Sequence, residues 1–556
     1  MLHPRTNKPL LIIAALLILP LALDDHLSVG SSPVKLAANI LPLLLAYLLF
    51  FGVTRRAWCS LLFTACAGLA VFSAHKLKLE HLNQPLTFAD AFLAGQTIAN
   101  WNLLSLYAPK GISLILAAGV ALTIYLFIKE PAIKWRWAPP TLLVSLVGFA
   151  LISDKAVSPE LMYSPKAHGA EPWATSQAPA KQGLLASLVT GARSAQLSLP
   201  EVNHALVDQF LRDNPIEPDF TQTDVRPDIV LWLAESFFNP GIIQGVDSCA
   251  LIPQFCALSN TALKSIIDVP TFGGNTTRTE FEVLTAIPFH ALGTKDYPYI
   301  SIVHAKQSSI VWSLSQLGYQ TTAMHPNNQS MWQRDRALPL LGFDQFFDIE
   351  HFDRKRRDGI WVSDLALAET IKSQLEGEKE PQFIFAISME GHGPFDTQPV
   401  IDSVRRDNIQ APSALDKKAS AEWREFIYHA QNASATMIHL KKYIAQRERP
   451  TLVVFFGDHL PNLKRVFAQV SFENGRKAWQ QNTPALAFAN YPIASNWLPK
   501  ASHELGVWTL ELAGLSKSTD YQLLSHALSE NEKSKGSIEE VVRNLQLQRL
   551  FSAAQQ

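Results

Sequence analysis

No charge of either sign predominates in this chain: 48 Lys and Arg stand against 49 Asp and Glu, a formal net charge of −1. The long-range field therefore gives no reason to expect a nucleic-acid partner. Cysteine is scarce. Of the four, Cys59 and Cys66 fall in an apolar segment and only Cys249 and Cys256 lie outside one, which excludes a scaffold stapled by several bridges. No internal repeat of fixed period is present, which excludes a repeat array. What is plentiful is apolar: hydrophobic residues make up 47 % of the chain and are unevenly spread, and 556 residues exceed one ordinary domain, so at least two folding units are expected.

Five apolar runs precede residue 155: about Leu10–Leu23, Leu36–Val53, Trp58–Ala74, Ile112–Ile128 and Pro140–Ile152. A bilayer core takes roughly 20 apolar residues, with about 17 as the short limit. The middle three qualify and the outer two are short, so residues 1–153 read as an α-helical transmembrane domain of about five spans. Arg5 and Lys8, then Arg55 and Arg56, then Lys129, Lys134 and Arg136 mark alternate loops as cytoplasmic, which places everything after Ser153 outside. The stretch "PLTFADAFLAGQTIANWNLLSLY" suits a segment lying in the interface. From 154 to 226 the composition turns to Ser, Pro, Ala and Gln, a linker with helical segments. Residues 529–556 read as a helical tail.

Between 227 and 528, short apolar runs alternate with helical stretches. "DIVLWLAES", "YQTTAMHP", "QFIFAISMEGHG", "TLVVFFGDH" and "PALAFANY" read as strands, and "SSIVWSLSQLG" and "ASATMIHLKKYIAQR" as helices. Such alternation predicts a mostly parallel sheet covered on both faces, with the ligand site at the carboxyl ends of the strands. Those ends carry Glu235, His325, His392, Asp458 and His459. Each alone is an ordinary loop residue; together, Glu235, Asp458 and His459 form a mixed O/N set suited to Mn²⁺, Zn²⁺ or, less well, Mg²⁺. Gly457 is expected to let the chain turn and aim Asp458 and His459 together.

In "GGNTTRTEFEVLTAIP", Gly273–Pro288, Thr277 and Glu280 have capping-box spacing and Pro288 stops the helix. Thr276 then stands just before the helix, where backbone N–H groups and the positive dipole end favour a phosphate. A hydroxyl beside a divalent cation loses its proton readily and becomes a nucleophile. Spacing alone does not separate Thr276 from its neighbouring threonines.

The stretches "GGNTTRTEFE", "MHPNNQSMWQRDRALPLLGFDQFFD" and "FFGDHLP" resemble the extracellular domain of lipoteichoic acid synthases and related phosphoglycerol transferases, within the alkaline phosphatase and sulfatase superfamily. The resemblance covers about Pro227–Gly514 and departs from the family at Pro326 and Asn327. It implies an alkaline-phosphatase/sulfatase-like α/β domain. It implies Thr276 as nucleophile, Glu235, Thr276, Asp458 and His459 as ligands of one divalent metal ion, usually Mn²⁺, and His325, Trp332, Arg334 and His392 as glycerol-phosphate contacts. Arg334 offers a planar fork for phosphate oxygens, and the imidazoles can donate to phosphate or shuttle a proton.

The resemblance further implies a two-step transfer. Thr276 takes glycerophosphate from phosphatidylglycerol, and the hydroxyl of a glycan or teichoic-acid-like acceptor displaces it, in a multi-pass protein of the cytoplasmic membrane with its catalytic domain on the extracytoplasmic side. Two alternatives stand beside it: a phosphoethanolamine transferase, disfavoured by the few cysteines, and an inactive glycan-binding membrane protein. A formylglycine sulfatase is disfavoured further, because "NTTRT" lacks the C/S-x-P-x-R context. Cys249 and Cys256 are expected to form a disulfide where oxidation persists, with Pro253 helping the chain turn back; one continuous helix would instead hold them apart.

Overall fold

The computed structural model describes residues 19–552 except 26, 28–30, 83–84, 94–109, 154–159, 164–180, 195–201, 214, 216–225, 293–296, 378, 396–398, 516–518 and 532–537. It divides into two units, one holding the described residues up to Ser194 and the other those from Val202 on.

Among the described residues of the first unit, four helices are long and apolar enough to cross a membrane: α1 (Pro33–Thr54), α2 (Ala57–Leu82), α3 (Lys110–Lys129) and α4 (Ala138–Ser153). Ser32 caps α1 by accepting from the Lys35 N–H, with Pro33 in the first turn, and Arg55 ends it in the left-handed region. The run Pro140–Ile152 looked short for a span. With its preceding turn the helix covers Trp135–Ser153, because prolines are tolerated in a first turn. Of the run Leu10–Leu23 only the turn Leu19–Leu23 is described, and most of the expected interfacial segment lies outside the described residues. The two basic loops meet: Ile133 N–H donates to Arg55 O (2.8 Å) and Arg56 Nε to Glu130 O (2.8 Å). Part of the expected linker is packed instead. Helix α5 (Leu184–Ser194) buries Leu184 and Ala186, and their N–H groups donate to Asp24 Oδ2 and Asn39 Oδ1, so side chains of this unit satisfy its first turn.

The second unit is built on a seven-stranded sheet. Its strands are β1 (Asp228–Ala234), β2 (Leu263–Ile267), β3 (Gln320–Met324), β4 (Gln345–Phe347), β7 (Gln382–Ile387), β8 (Thr451–Gly457) and β9 (Thr483–Ala489); β5 (Arg357–Asp358) and β6 (Trp361–Val362) form a separate hairpin. The order is β2-β9-β8-β1-β7-β3-β4, with β8, β1, β7, β3 and β4 parallel and β9 and β2 antiparallel at one edge. All five expected strands are present. β1, β7 and β8 are buried along their whole length, as continuous apolar strands covered on both faces must be. Helices α6 (Thr276–Thr285), α7 (Asp364–Gly377) and α8 (Lys417–Ile444) carry or support the site residues below. Cys249 and Cys256 are bridged: the chain breaks at Ile252, between the short helices Ser248–Leu251 and Pro253–Ser259, and so turns back at Pro253.

Candidate active site

β1 and β8 pair in parallel with Ala234 opposite Gly457, so Glu235 and Asp458 leave neighbouring strands at one level. Gly457 is still strand. What it permits is close approach, not a turn, since a Cβ there would lie 1.9 Å from Phe237 O; one at Gly391 would lie 2.2 Å from Glu235 O. Three backbone segments are thereby pressed together around Glu235.

Gly273, Gly274 and Asn275 all have positive φ (70°, 146° and 64°), a run that only glycine and asparagine adopt readily. It turns the chain sharply so that Asn275 is the N-cap and Thr276 the first residue of α6. The expected Thr277–Glu280 capping box is not formed: Thr277 lies inside the helix with its hydroxyl buried and unpaired, and Glu280 faces elsewhere. The Thr276 hydroxyl donates to Glu235 Oε2 at 3.2 Å.

His459 Nδ1 lies 3.0 Å from Leu460 O. A carbonyl only accepts, so Nδ1 carries the proton and Nε2 the lone pair. That lone pair faces Asp458 Oδ2 at 3.2 Å and Glu235 Oε1 at 3.6 Å. Asp458 Oδ2 and His459 Nε2 are buried without a hydrogen-bond partner. The other oxygens are supplied: Asp458 Oδ1 accepts from the Ser236 and His459 N–H groups, and Glu235 Oε1 from the Ser236 hydroxyl. Burial, and then the Glu235 charge, push the Asp458 carboxyl well above its ordinary range, while burial lowers His459. Acceptors crowded together out of water cost free energy unless a cation lies between them. Glu235, Asp458 and His459 offer atoms within 4.8 Å of one another, so the residues fit a divalent ion, with Thr276 Oγ1 beside them.

His325, at the end of β3, is buried with Nδ1 3.2 Å from Ile387 O. By the same reasoning its Nε2 accepts. Burial, then the Arg334 charge, hold its pKa well below the ordinary value. Arg334 is buried against Glu280: Nε and Nη2 donate to its two carboxylate oxygens at 3.1 and 2.5 Å. The flat fork expected for phosphate is thus taken by Glu280, since a buried guanidinium needs a carboxylate. With Nη1 on Met331 O, three of its five N–H bonds are used and two remain. Arg334 still acts electrostatically on His325 and feels Glu235.

Trp332 packs on Tyr297 with ring centroids 4.9 Å apart, and Trp332 and Gln333 are both left-handed (φ 60° and 56°), a conformation that bulky residues adopt only where the surroundings enforce it. His392 is half-buried, its Nδ1 2.8 Å from Gly393 O and its ring edge-on to Trp361.

Sequence reading missed Glu280, which it spent on a cap, and a buried polar group behind the site. Ser388 Oγ accepts from the Glu235 N–H, and Asp364 and Glu390 lie beyond it; burial, then the nearby Glu390, raise Asp364 well above its ordinary range. Glu390 two positions before His392 in "SMEGHG" was the available signal.

The sulfatase family model matches residues 227–505, just over half of the chain. The chain belongs to the sulfatase family. It is 27 % identical over 304 residues to a "Putative cyclic beta-1,2-glucan modification protein" of Rhizobium meliloti, covering 54 % of this chain and 46 % of that one. It therefore spans less than half the length of that relative. Solved structures share the fold, and two of them are these. The "phosphoglycerol transferase GacH in complex with sn-glycerol-1-phosphate" of Streptococcus pyogenes is 20 % identical, with TM-score 0.51, covering 62 % of this chain and 89 % of that one. The "Integral membrane protein lipooligosaccharide phosphoethanolamine transferase A" of Neisseria meningitidis is 12 % identical, with TM-score 0.52, covering 93 % and 98 %. This second match spans the apolar helices as well as the α/β unit, so the architecture read from the sequence holds in both parts.

Proposed function

We propose that the protein is a membrane-anchored phosphoglycerol transferase, moving glycerophosphate from phosphatidylglycerol through a covalent Thr276 intermediate to a glycan or polyglycerolphosphate hydroxyl. The observation that carries this reading is the Thr276 hydroxyl, fixed at the start of α6 and bonded to Glu235 Oε2 beside Asp458 and His459.

Glu235, Asp458, His459 and Thr276 Oγ1 would hold one divalent cation, Mn²⁺ first, because the donor set is mainly oxygen. Bound there, a cation supplies Lewis acidity that makes the threonine hydroxyl more acidic and steadies charge on phosphate oxygens. The chain's own groups do the rest. Glu235 Oε2 orients the Thr276 O–H, the first-turn N–H groups of α6 face the phosphate, and the two unused N–H bonds of Arg334 hold its oxygens. Thr276 Oγ attacks phosphorus as its proton passes to Glu235 Oε2; the departing diacylglycerol oxygen takes a proton from Nε2 of doubly protonated His392, which later takes one from the acceptor hydroxyl as the leaving Thr276 oxygen regains its proton from Glu235. His325 Nε2 accepts from a glycerol hydroxyl, and the Trp332 ring walls the head group.

Membrane helices on the same chain raise the effective concentration of a lipid donor. The meeting of the Arg55–Arg56 loop with the loop from Lys129 to Arg136 supports a cytoplasmic face there, with the residues after Ser153 extracytoplasmic in a cytoplasmic membrane. A glycan acceptor is supported by the name of the Rhizobium relative.

A phosphoethanolamine transferase is the second reading, favoured by the match over 93 % of the chain. Against it stand the single disulfide and single metal-competent cluster among the described residues. The test is mass spectrometry of the full-length protein after incubation with each lipid. Glycerophosphate on the Thr276 peptide supports the proposal, ethanolamine phosphate there supports the second reading, and no adduct from a metal-loaded protein supports an inactive binder.

A further inference from the structure

His392 sits on a loop after β7, and a buried arm and a half-buried one grip that loop from opposite ends. One arm is Glu390. Its Oε1 accepts from His429 Nδ1 (3.1 Å) and Asn432 Nδ2 (2.5 Å), both on α8, and its Oε2 accepts from the Asp364 N–H at the start of α7 (2.7 Å). The other arm is Trp361 of the β5–β6 hairpin. Its indole N–H points at His392 O (2.8 Å) and Gly393 O (3.2 Å), and Gly393 O is also the acceptor of His392 Nδ1. The Trp361 ring stands edge-on to the imidazole, centroids 5.1 Å apart.

The two arms are tied together by one side chain. Asn432 Nδ2 has two hydrogens; besides Glu390 it reaches Asp358 Oδ2 at 2.9 Å, where the Tyr428 hydroxyl also donates. Asp358 lies directly across the hairpin from Trp361. Asn432 Oδ1 in turn accepts from Arg405 Nη2, so both ends of the amide are fixed. A short loop would otherwise leave a half-buried imidazole free to change rotamer. Here Gly393 O sets its tautomer, Trp361 holds that carbonyl, the His392 carbonyl and one side of the ring, and the loop's other end is set by Glu390.

We propose that Trp361 and Asn432 are positioning residues for His392: Trp361 holds the His392 backbone and the Gly393 carbonyl that accepts from its ring, and Asn432 locks the Trp361 hairpin to the Glu390 arm. The inference rests on the reading of His392 as a proton-carrying group in the transfer.

The test uses the full-length protein in detergent, with Trp361→Phe, which keeps a ring but loses the N–H, and Asn432→Ala. Carbethoxylation of each histidine by diethyl pyrocarbonate is followed by peptide mapping, and glycerophosphate uptake on Thr276 is timed in the same variants. Both substitutions are expected to speed His392 modification several-fold, leave buried His325 unmodified and Mn²⁺ affinity unchanged, and slow uptake about tenfold or more. In a His392→Ala background Trp361→Phe should cost nothing further, because it acts through that ring. Unchanged His392 labelling, or losses that add in the double variant, overturns the inference. Faster His392 labelling in a protein whose wild type takes up no glycerophosphate leaves the clamp standing and overturns the transferase reading instead. If Asn432→Ala exposes His325 as well, that variant has opened the fold, and Trp361→Phe alone decides.

Discussion

Arg334 presents Nε and Nη2 to the two carboxylate oxygens of Glu280, at 3.1 and 2.5 Å, with both side chains out of solvent. Breaking such a pair leaves a buried charge uncompensated, at a cost of about 3–5 kcal/mol, whereas replacing both members by apolar residues is often close to neutral. Glu280→Ala should therefore destabilise the protein strongly in denaturant melts, and the double variant Glu280→Leu with Arg334→Met should recover most of the loss. A single-variant loss below about 1 kcal/mol is what a solvent-screened pair gives, and would remove Glu280 from this role.

Thr276 and Thr277 are adjacent but face different surroundings. Thr276→Ala should abolish glycerophosphate uptake with the fold intact. Thr277→Ala removes a buried hydroxyl that makes no hydrogen bond, so stability should change by less than about 1 kcal/mol and transfer should persist. Uptake by the Thr276 variant, read by peptide mass, would assign the nucleophile elsewhere.

The unpaired Asp458 Oδ2 and His459 Nε2 make metal binding a matter of stability as well as activity. Chelation should inactivate the protein and lower its melting temperature, with Mn²⁺ restoring both best. A ligand at a hundredfold its Kd adds about 2.7 kcal/mol, and His459→Ala should lose that increment. Equal melts with and without metal count against the cluster.

Five strands and the Glu235, Asp458 and His459 cluster were legible in the sequence because buried parallel strands are continuous apolar runs whose polar residues mark their ends. β2 was missed: "LKSII" is an edge strand with Lys264 and Ile266 exposed, so it carries neither a run nor a clean alternation. The capping box failed for a local reason. Thr277 and Glu280 have the right spacing, but two glycines and Asn275 start the helix earlier, and Glu280 is claimed by an arginine 54 positions along. Pairings across that distance, like Asn432 with Asp358 and Glu390, leave no periodic trace in the chain. The packing of α5 was hidden likewise, since its partners Asp24 and Asn39 lie more than a hundred residues before it.

Glu282 gives a pH prediction. It is wholly buried, accepting from the Phe289 N–H and the Ser502 hydroxyl, and burial is the chief cause that lifts its carboxyl from 4.5 to about 8. Folded Glu282 then keeps a proton that the unfolded chain releases above about pH 4.5. Its contribution to stability is complete below that pH and is lost as pH rises toward 8. Glu282→Gln, which cannot ionise, should lose less stability between pH 5 and 8 than the wild type, measured as melting temperature against pH. Parallel curves would show that Glu282 ionises alike in both states.

The Cys249–Cys256 bridge ties the break at Ile252 into a closed turn. It also reports on orientation, because a disulfide persists only where the medium is oxidising. Non-reducing peptide mapping of protein made with its membrane helices should find the two cysteines linked, and Cys59 and Cys66, within α2, as free thiols. Cys249→Ser with Cys256→Ser should lower stability by about 2–4 kcal/mol, the usual effect of losing a loop constraint. Free Cys249 and Cys256 in exported protein would refute the bridge. If the thiols are free only when the second unit is held in a reducing compartment, the bridge stands, and it reads out directly which side of the membrane Thr276 faces.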